Sequence, residues 1–135
     1  MSKTYVHNLD ACLLVCDLTN ERSFEAVSKW AKDVRNIKNI PIVLLANKYD
    51  LTEERAVQQS QLDSLAKKLK IRCFETSAKS GYNVENSFYC LVYQILKPCL
   101  EINDIVKSEI TSSGLKGGPM KKLIDQEEDP YQLYK

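Results

Sequence analysis

Residues 42–50 read Ile-Val-Leu-Leu-Ala-Asn-Lys-Tyr-Asp, an apolar run that gives way at once to a polar set. A short and wholly apolar run predicts a β-strand that is covered on both faces, as in a parallel sheet. Residues 11–17, Ala-Cys-Leu-Leu-Val-Cys-Asp, predict a strand of the same kind, and residues 71–75, Ile-Arg-Cys-Phe-Glu, predict a third. Three such strands indicate a sheet at the centre of the fold.

The stretches between and after these strands have apolar residues at intervals of three and four, as in helices with one buried face. The apolar positions are Phe24, Val27, Ala31 and Val34 in the first, Leu62, Leu65, Ala66 and Leu69 in the second, and Val84, Phe88, Leu91, Val92 and Ile95 in the third. We expect Thr19 or Asn20 to cap the first helix and Thr52 to begin the second. Asn83 would cap the third helix, and Pro98 would end or kink it. Strands that alternate with helices predict an α/β fold with parallel strands and right-handed crossovers.

The composition is that of an ordinary soluble domain. The chain has 135 residues, 44% hydrophobic and 27% charged, with a formal net charge of +1. This balance argues against nucleic acid as a partner, because nucleic-acid-binding surfaces are strongly basic. No apolar run is long enough for a signal peptide or a membrane span. Five cysteines and one histidine, without a C-x-x-C spacing, argue against a zinc site and indicate reduced thiols in a cytosolic protein.

Glycine is scarce, and its distribution excludes one kind of site. The sequence has four glycines, and Gly81 is the first of them. Residues 1–80 therefore contain neither G-x-x-x-x-G-K-[ST] nor G-x-G-x-x-G, the loops whose glycines let backbone N–H groups approach phosphates.

Polar residues follow two of the predicted strands. Asn47-Lys48-Tyr49-Asp50 comes directly after the second strand, and Thr76-Ser77-Ala78-Lys79 after the third. The carboxyl ends of parallel strands meet at one edge of the sheet, where ligands bind in open α/β folds. We therefore expect the two loops to line one site.

These segments resemble the base-recognition motifs of the small GTPases of the Ras superfamily. Residues 47–50 match that family's N-K-x-D motif, and residues 75–79 match its E-T-S-A-K loop. Residues 14–19, followed by Ser23-Phe24, resemble its L-V-x-D-x-T…S-F segment. The resemblance extends over residues 5–97 and is nearest to the Rab branch. It implies part of a P-loop NTPase-type sheet, with an irregular C-terminal tail beyond it.

The resemblance implies guanine-binding roles for the residues of both loops. Asp50 would accept hydrogen bonds from the N1–H and the exocyclic amine of guanine, a pairing that adenine cannot offer. Asn47 would brace the base and tie the two loops together. The aliphatic stem of Lys48 would lie over the base plane, with Lys79 on the loop opposite.

The second loop would contribute two further contacts. The Ala78 N–H would reach the guanine O6 atom, and Ser77 would hold the shape of its loop. The alternative is that both loops are scaffolding, with Lys48 and Asp50 forming a surface pair.

The phosphate-binding elements of the family have no counterpart in this sequence. It contains no phosphate-binding loop, no matching first switch with its Mg²⁺-binding threonine and no D-x-x-G segment. We therefore expect GTP or GDP to be the ligand by family resemblance, but no catalytic residue, no metal site and no GTP hydrolysis by this chain alone. Base contacts without phosphate contacts leave the expected affinity in the millimolar range or weaker.

The resemblance also divides the chain and leaves part of it uncovered. Residues 1–97 would form the C-terminal portion of a G domain, and residues 98–135 a partly helical extension that continues as a linker and a disordered tail. Without the family's first strand, the strand at Ala11–Asp17 is a bare apolar edge and a candidate surface for a protein partner. For the same reason we expect the outer face of the last helix, from Phe88 to Ile95, to be partly exposed.

Three hypotheses about function remain open. The chain is a truncated Rab-like GTPase of vesicle traffic, a non-enzymatic remnant that binds another protein through its exposed edge, or one half of a GTPase completed by a separate N-terminal chain. Rab proteins usually end in prenylated cysteines, whereas this chain ends Tyr131-Gln132-Leu133-Tyr134-Lys135, so no stable membrane anchor is expected. The expected location is cytoplasmic, peripheral to endomembranes by family resemblance.

Overall fold

The structure, a computed structural model, describes residues 6–102, with the side chains of residues 6–98. Its strands are β1 (Cys12–Asp17), β2 (Ile42–Asn47) and β3 (Arg72–Glu75), and its helices are α1 (Glu21–Ile37), α2 (Gln59–Leu69) and α3 (Val84–Ile102). Residues 103–135, where the linker and the tail are expected, lie outside the described part of the chain.

The three strands form one parallel sheet in the order β1-β2-β3, which confirms the predicted α/β fold. Asp17 at the end of β1 pairs with Asn47 at the end of β2, and Ala46 of β2 pairs with Glu75 at the end of β3. The strands therefore end at one edge of the sheet, and the loops that follow them are neighbours there.

The two faces of the sheet carry unequal layers. On one face, α1 and α2 pack on the sheet through a cluster of fourteen buried residues that includes Val34, Leu44 and Leu62. On the other face, α3 packs through Cys90 against Val43 in a cluster of four buried residues. Apolar burial is the main stabilising force, so most of the packing energy lies on the α1–α2 side.

The start of α1 follows the sequence. Asn20 occupies the N-cap, and its side-chain oxygen accepts a hydrogen bond from the Ser23 N–H at 3.3 Å. The bond satisfies one of the amide groups that the first turn of a helix leaves without a backbone partner.

The expected start of α2 is wrong. Thr52 begins only a single 3₁₀ turn, and the α-helix starts at Gln59. The intervening chain is drawn against the end of β1, because the N–H groups of Ala56 and Val57 donate to the Leu18 carbonyl at 2.9 and 3.0 Å. Val57 is also fully buried. Burial and these two bonds outweigh the local preference of Thr52 and the acids after it to continue a helix.

Of the two effects predicted for Pro98, the end of α3 is wrong. The helix does not end at Pro98 but continues to Ile102. A proline removes one amide donor from a helix, and the turns on either side hold the rest of the ladder.

An apolar surface is exposed where the sequence predicts it. On α3, Phe88, Val92 and Ile95 are 51%, 41% and 37% exposed. On β1, which lies at an edge of the described sheet, Val15 is 62% exposed, although the apolar run predicts cover on both faces. The described residues therefore cover this face of β1 only in part, because Leu13 packs against the α3-side cluster whereas Val15 is left exposed.

Candidate functional site

Three hydrogen bonds join the loop after β2 to the loop after β3. The side-chain oxygen of Asn47 accepts from the Ala78 N–H at 3.0 Å. The Ser77 hydroxyl donates to Asp50 Oδ1 at 2.5 Å. The Tyr49 N–H donates to the backbone oxygen of Thr76 at 3.0 Å. Four of the six residues predicted for the site thus form two hydrogen-bonded pairs, Asn47 with Ala78 and Asp50 with Ser77.

The loop after β3 folds around the Ser77 backbone and hydroxyl. Ser77 is fully buried. Its backbone oxygen accepts a hydrogen bond from the Gly81 N–H at 2.8 Å, and its hydroxyl accepts one from the Ser80 N–H at 3.1 Å. Gly81 has a φ of 81°, which disfavours any residue with a Cβ, although a Cβ there would meet no neighbouring atom. The first glycine of the chain therefore serves the backbone turn of this loop.

Asp50 is an ionised acceptor at neutral pH. The hydrogen bond from Ser77, assisted by the positive charges of Lys79 and Lys48, holds the pKa of its carboxyl below the usual value. Asp50 Oδ2 lies 4.0 Å from Lys79 Nζ, and the Asp50 side chain is 23% exposed. An ionised carboxylate only accepts hydrogen bonds, so the group suits a ligand edge that presents donors.

The remaining predicted residues lie on the same edge. Lys79 is exposed on the loop after β3, and Lys48 has a left-handed backbone with a φ of 70°. The Ala78 N–H, predicted to reach a ligand oxygen, donates to Asn47 in this structure. All six predicted residues therefore belong to one cluster, and a ligand oxygen would share the Ala78 N–H with Asn47 or displace it.

Asp17 is a charged member of this edge that the sequence reasoning missed. Its Oδ2 lies 2.7 Å from Lys48 Nζ, and its Oδ1 accepts from the N–H and the hydroxyl of Thr19 at 2.8 and 2.7 Å. Partial burial would raise the pKa of Asp17, but the hydrogen bonds from Lys48 and Thr19 outweigh it and leave the pKa below the usual value. Because Asp17 ends β1 beside Asn47, the rule used for the other two strand ends could have found it.

An aromatic pair also joins the two loops. The rings of Tyr49 and Tyr82 are stacked, with centroids 4.7 Å apart and planes 17° from parallel. Nothing in the sequence pairs these two tyrosines before the loops are brought together.

Residues 6–102 contain neither a membrane-spanning helix nor a cluster of metal-binding side chains. No helix within residues 6–102 is long and apolar enough to cross a membrane. Over the same part of the chain, no three histidine, cysteine, aspartate or glutamate side chains are grouped as a metal site would require.

Comparison with known proteins identifies relatives among the Ras and Rab proteins. The sequence model of the Ras family matches residues 1–97. Ras-related protein Rab-13 of Bos taurus is 39% identical over 98 residues, which cover 71% of this chain and 48% of that protein. Ras-related protein Rab-10 of Diplobatis ommata is 36% identical over 99 residues, 72% of this chain and 50% of that protein.

A relative outside the Rab proteins also aligns. Protein ras-1 of Neurospora crassa is 32% identical over 132 residues, 96% of this chain and 61% of that protein. The chain spans about half the length of the Rab relatives that it matches. Since the family model covers most of the sequence and Rab proteins are among the relatives, this chain belongs to the Ras family, on its Rab-like branch.

Proposed function

We propose that this chain is the guanine-recognition part of a Rab-like GTPase, a nucleotide-dependent switch of vesicle traffic. The observation that carries the proposal is the Ser77–Asp50 hydrogen bond, which holds an ionised carboxylate at the joined ends of β2 and β3. A carboxylate fixed before the ligand arrives loses little freedom on binding, which favours recognition.

The chemistry of Asp50 would select guanine. Guanine presents two neighbouring donors, the N1–H and the exocyclic amine, and a carboxylate has two acceptor oxygens. Adenine has an acceptor at N1 and would leave a lone pair facing the negative charge. Asp50 therefore explains both attraction to one base and rejection of the other.

The surrounding residues would complete the base site. The stem of Lys48 would cover one face of the ring, and Lys79 would lie on the other loop. Asn47 and Ser77 would keep the two loops together through the contacts described above. The Ala78 N–H would turn from Asn47 toward the guanine O6 atom when the base is bound.

Phosphate recognition is the part of the family's activity that we do not assign to this chain. The sequence contains no phosphate-binding loop, and the chain spans about half the length of its Rab relatives. We propose that the chain alone binds the base weakly, lacks an Mg²⁺ site and does not hydrolyse GTP, because phosphate charge and metal supply most of the affinity and the catalysis.

The organisation of the protein follows as a further part of the proposal. Residues 1–97, the segment matched by the family model, would act as the nucleotide-recognising portion, and the remainder would be an extension. The apolar edge at Ala11–Asp17 would be the surface for a protein partner, supported by the exposure of Val15. The protein would work in the cytoplasm, at the surface of endomembranes.

A nucleotide titration of the full chain tests the proposal. Guanosine at millimolar concentration is expected to shift the backbone amide NMR signals of Asp50, Ala78 and Lys79, whereas adenosine leaves them in place. Equal responses to the two nucleosides, or none to guanosine, would remove the base-recognition function. A dissociation constant for GTP at or below about ten micromolar, or measurable hydrolysis, would contradict the proposed weak binding.

A further inference from the structure

We propose that Asp17 is a positioning residue for guanine recognition, which holds the Lys48 side chain in the place from which it covers the base. The proposal rests on the function proposed above, since it concerns the same site. It adds a residue from β1 to a site that otherwise consists of the loops after β2 and β3.

The first support is that the two carboxylate oxygens of Asp17 have different partners. One oxygen, Oδ2, faces Lys48 Nζ at 2.7 Å. The other, Oδ1, accepts two hydrogen bonds from Thr19 at 2.8 and 2.7 Å. Because Thr19 fixes one oxygen, the other can face in only one direction, and that direction is the lysine.

The second support is that Asp17 itself is held in place. It pairs with Asn47 across the sheet, so its position relative to the first loop is set by strand register. Its N–H donates to the Ser23 hydroxyl at 2.9 Å, which ties it also to the first turn of α1. A partner anchored in this way can immobilise a flexible side chain.

The third support is the character of Lys48. Its side chain is 48% exposed, and a long exposed lysine samples many rotamers unless something holds its end. An ion pair formed before the base arrives removes that freedom in advance, so less is lost on binding. The hydrogen bond and the charge of Asp17 also raise the pKa of Lys48, which keeps the pair ionised at neutral pH.

Nearby acids provide the contrast that the test needs. Glu54 and Asp50 act on Lys48 through their charges, whereas Asp17 also accepts a hydrogen bond from it. Glu54 lies on the exposed 3₁₀ turn. Glu54→Gln therefore removes one negative charge from the neighbourhood of Lys48 without removing that hydrogen bond.

The experiment is a double-mutant cycle in the full chain, with guanosine as the ligand and NMR titration as the measurement. Asp17→Asn and Lys48→Met are each expected to weaken binding by about threefold to tenfold. Asp17→Asn should weaken binding no further once Lys48→Met is present. Glu54→Gln should leave the affinity within about twofold of the unmodified chain.

A second readout does not need the nucleoside. In a chain with ¹⁵N-labelled lysine, the ammonium protons of Lys48 are expected to exchange slowly with water, and Asp17→Asn should abolish that protection. If Asp17→Asn fails to fold, Asp17→Glu replaces it, and the displaced carboxylate should reduce both the protection and the affinity.

The outcomes separate the two proposals. If the unmodified chain shows no preference for guanosine over adenosine, the proposed function fails and the role of Asp17 fails with it. If guanosine binds selectively but Asp17→Asn has no effect, acts equally in the Lys48→Met background or is matched by Glu54→Gln, only the role of Asp17 is overturned.

Discussion

The Ser77 hydroxyl donates a 2.5 Å hydrogen bond to Asp50 Oδ1, joining residues that lie 27 positions apart in the chain. Ser77 is a fully buried residue of the loop after β3, whereas Asp50, in the loop after β2, is partly exposed. This one contact therefore links the conformation of the loop after β3 to the orientation of the Asp50 carboxylate in the loop after β2.

Asp50→Asn is expected to exchange one base preference for another. The amide keeps one acceptor but puts an N–H group where the guanine amine would donate, so guanosine binding should be lost. Xanthosine has an oxygen in place of that amine, and its binding should rise above that of guanosine by about tenfold. NMR titration of both nucleosides measures the change. An unchanged preference for guanosine would mean that Asp50 does not contact the base.

Ser77→Ala is expected to destabilise the fold at neutral pH, because the buried Ser77 hydroxyl loses the hydrogen bond that it donates to a charged group. The bond lowers the pKa of Asp50 in the folded chain below the usual carboxyl value of 3.8. Its contribution to the free energy of unfolding is therefore fully present above that value and is lost as the pH falls through the lower pKa of the folded chain. The difference in free energy of unfolding between variant and parent should therefore shrink in acid. Urea unfolding at several pH values measures it.

A neighbouring serine provides the control for this variant. The Ser80 hydroxyl lies in an exposed position and accepts only a long hydrogen bond from the Tyr82 N–H, at 3.4 Å. Ser80→Ala should leave stability within about 0.5 kcal/mol of the parent at every pH. A loss as large as that of Ser77→Ala would show that the loop, and not the bond to Asp50, responds to the substitution.

Alkaline conditions are expected to weaken the fold through two thiols, the buried Cys16 and the partly buried Cys73. Burial raises the pKa of Cys73 to about 12 and that of Cys16 to about 11, from an ordinary value of 9.0. The unfolded chain therefore releases its thiol protons first, and stability should fall as the pH rises above about 9. Cys73→Ala should show a smaller fall than the parent, measured by urea unfolding. Parallel curves for the two proteins would contradict a partly buried, protonated Cys73.

Val15→Lys is expected to reduce self-association. Val15 is 62% exposed on an edge strand of the described sheet, and a lysine there opposes strand pairing between molecules. Sedimentation velocity over a range of concentrations should show less association, with the free energy of unfolding within about 0.5 kcal/mol of the parent. Gln59→Lys adds the same charge at an exposed helix start. If both variants act alike, net charge and not the edge controls association.

Strand positions and the two loops could be predicted because their signals are local. An unbroken apolar run such as residues 42–46 fits a covered strand, and strand ends in a parallel sheet share an edge. The six site residues lie in two short segments, each at the end of a strand. Once the two strands were predicted correctly, the positions of all six residues followed. Their individual contacts with a base remain predictions.

The remaining features depend on contacts between distant segments. α2 starts at Gln59 and not at the predicted Thr52, because the chain between these two residues donates two hydrogen bonds to Leu18, which is distant in the sequence. The Asp17–Lys48 pair likewise requires the register of two strands, which residue types alone do not give. In both cases tertiary structure overrides or supplements the local preference.

The thin layer beneath α3 predicts that this helix is the first part of the described chain to open. Four buried residues hold that side of the sheet and fourteen hold the other, so detaching α3 exposes far less apolar surface than detaching α1. Amide hydrogens of α3 should accordingly exchange with deuterium before those of β2, while the sheet and both loops stay intact. We therefore expect the described chain to behave as two cooperative units, a stable sheet with α1 and α2 and a helix that opens separately.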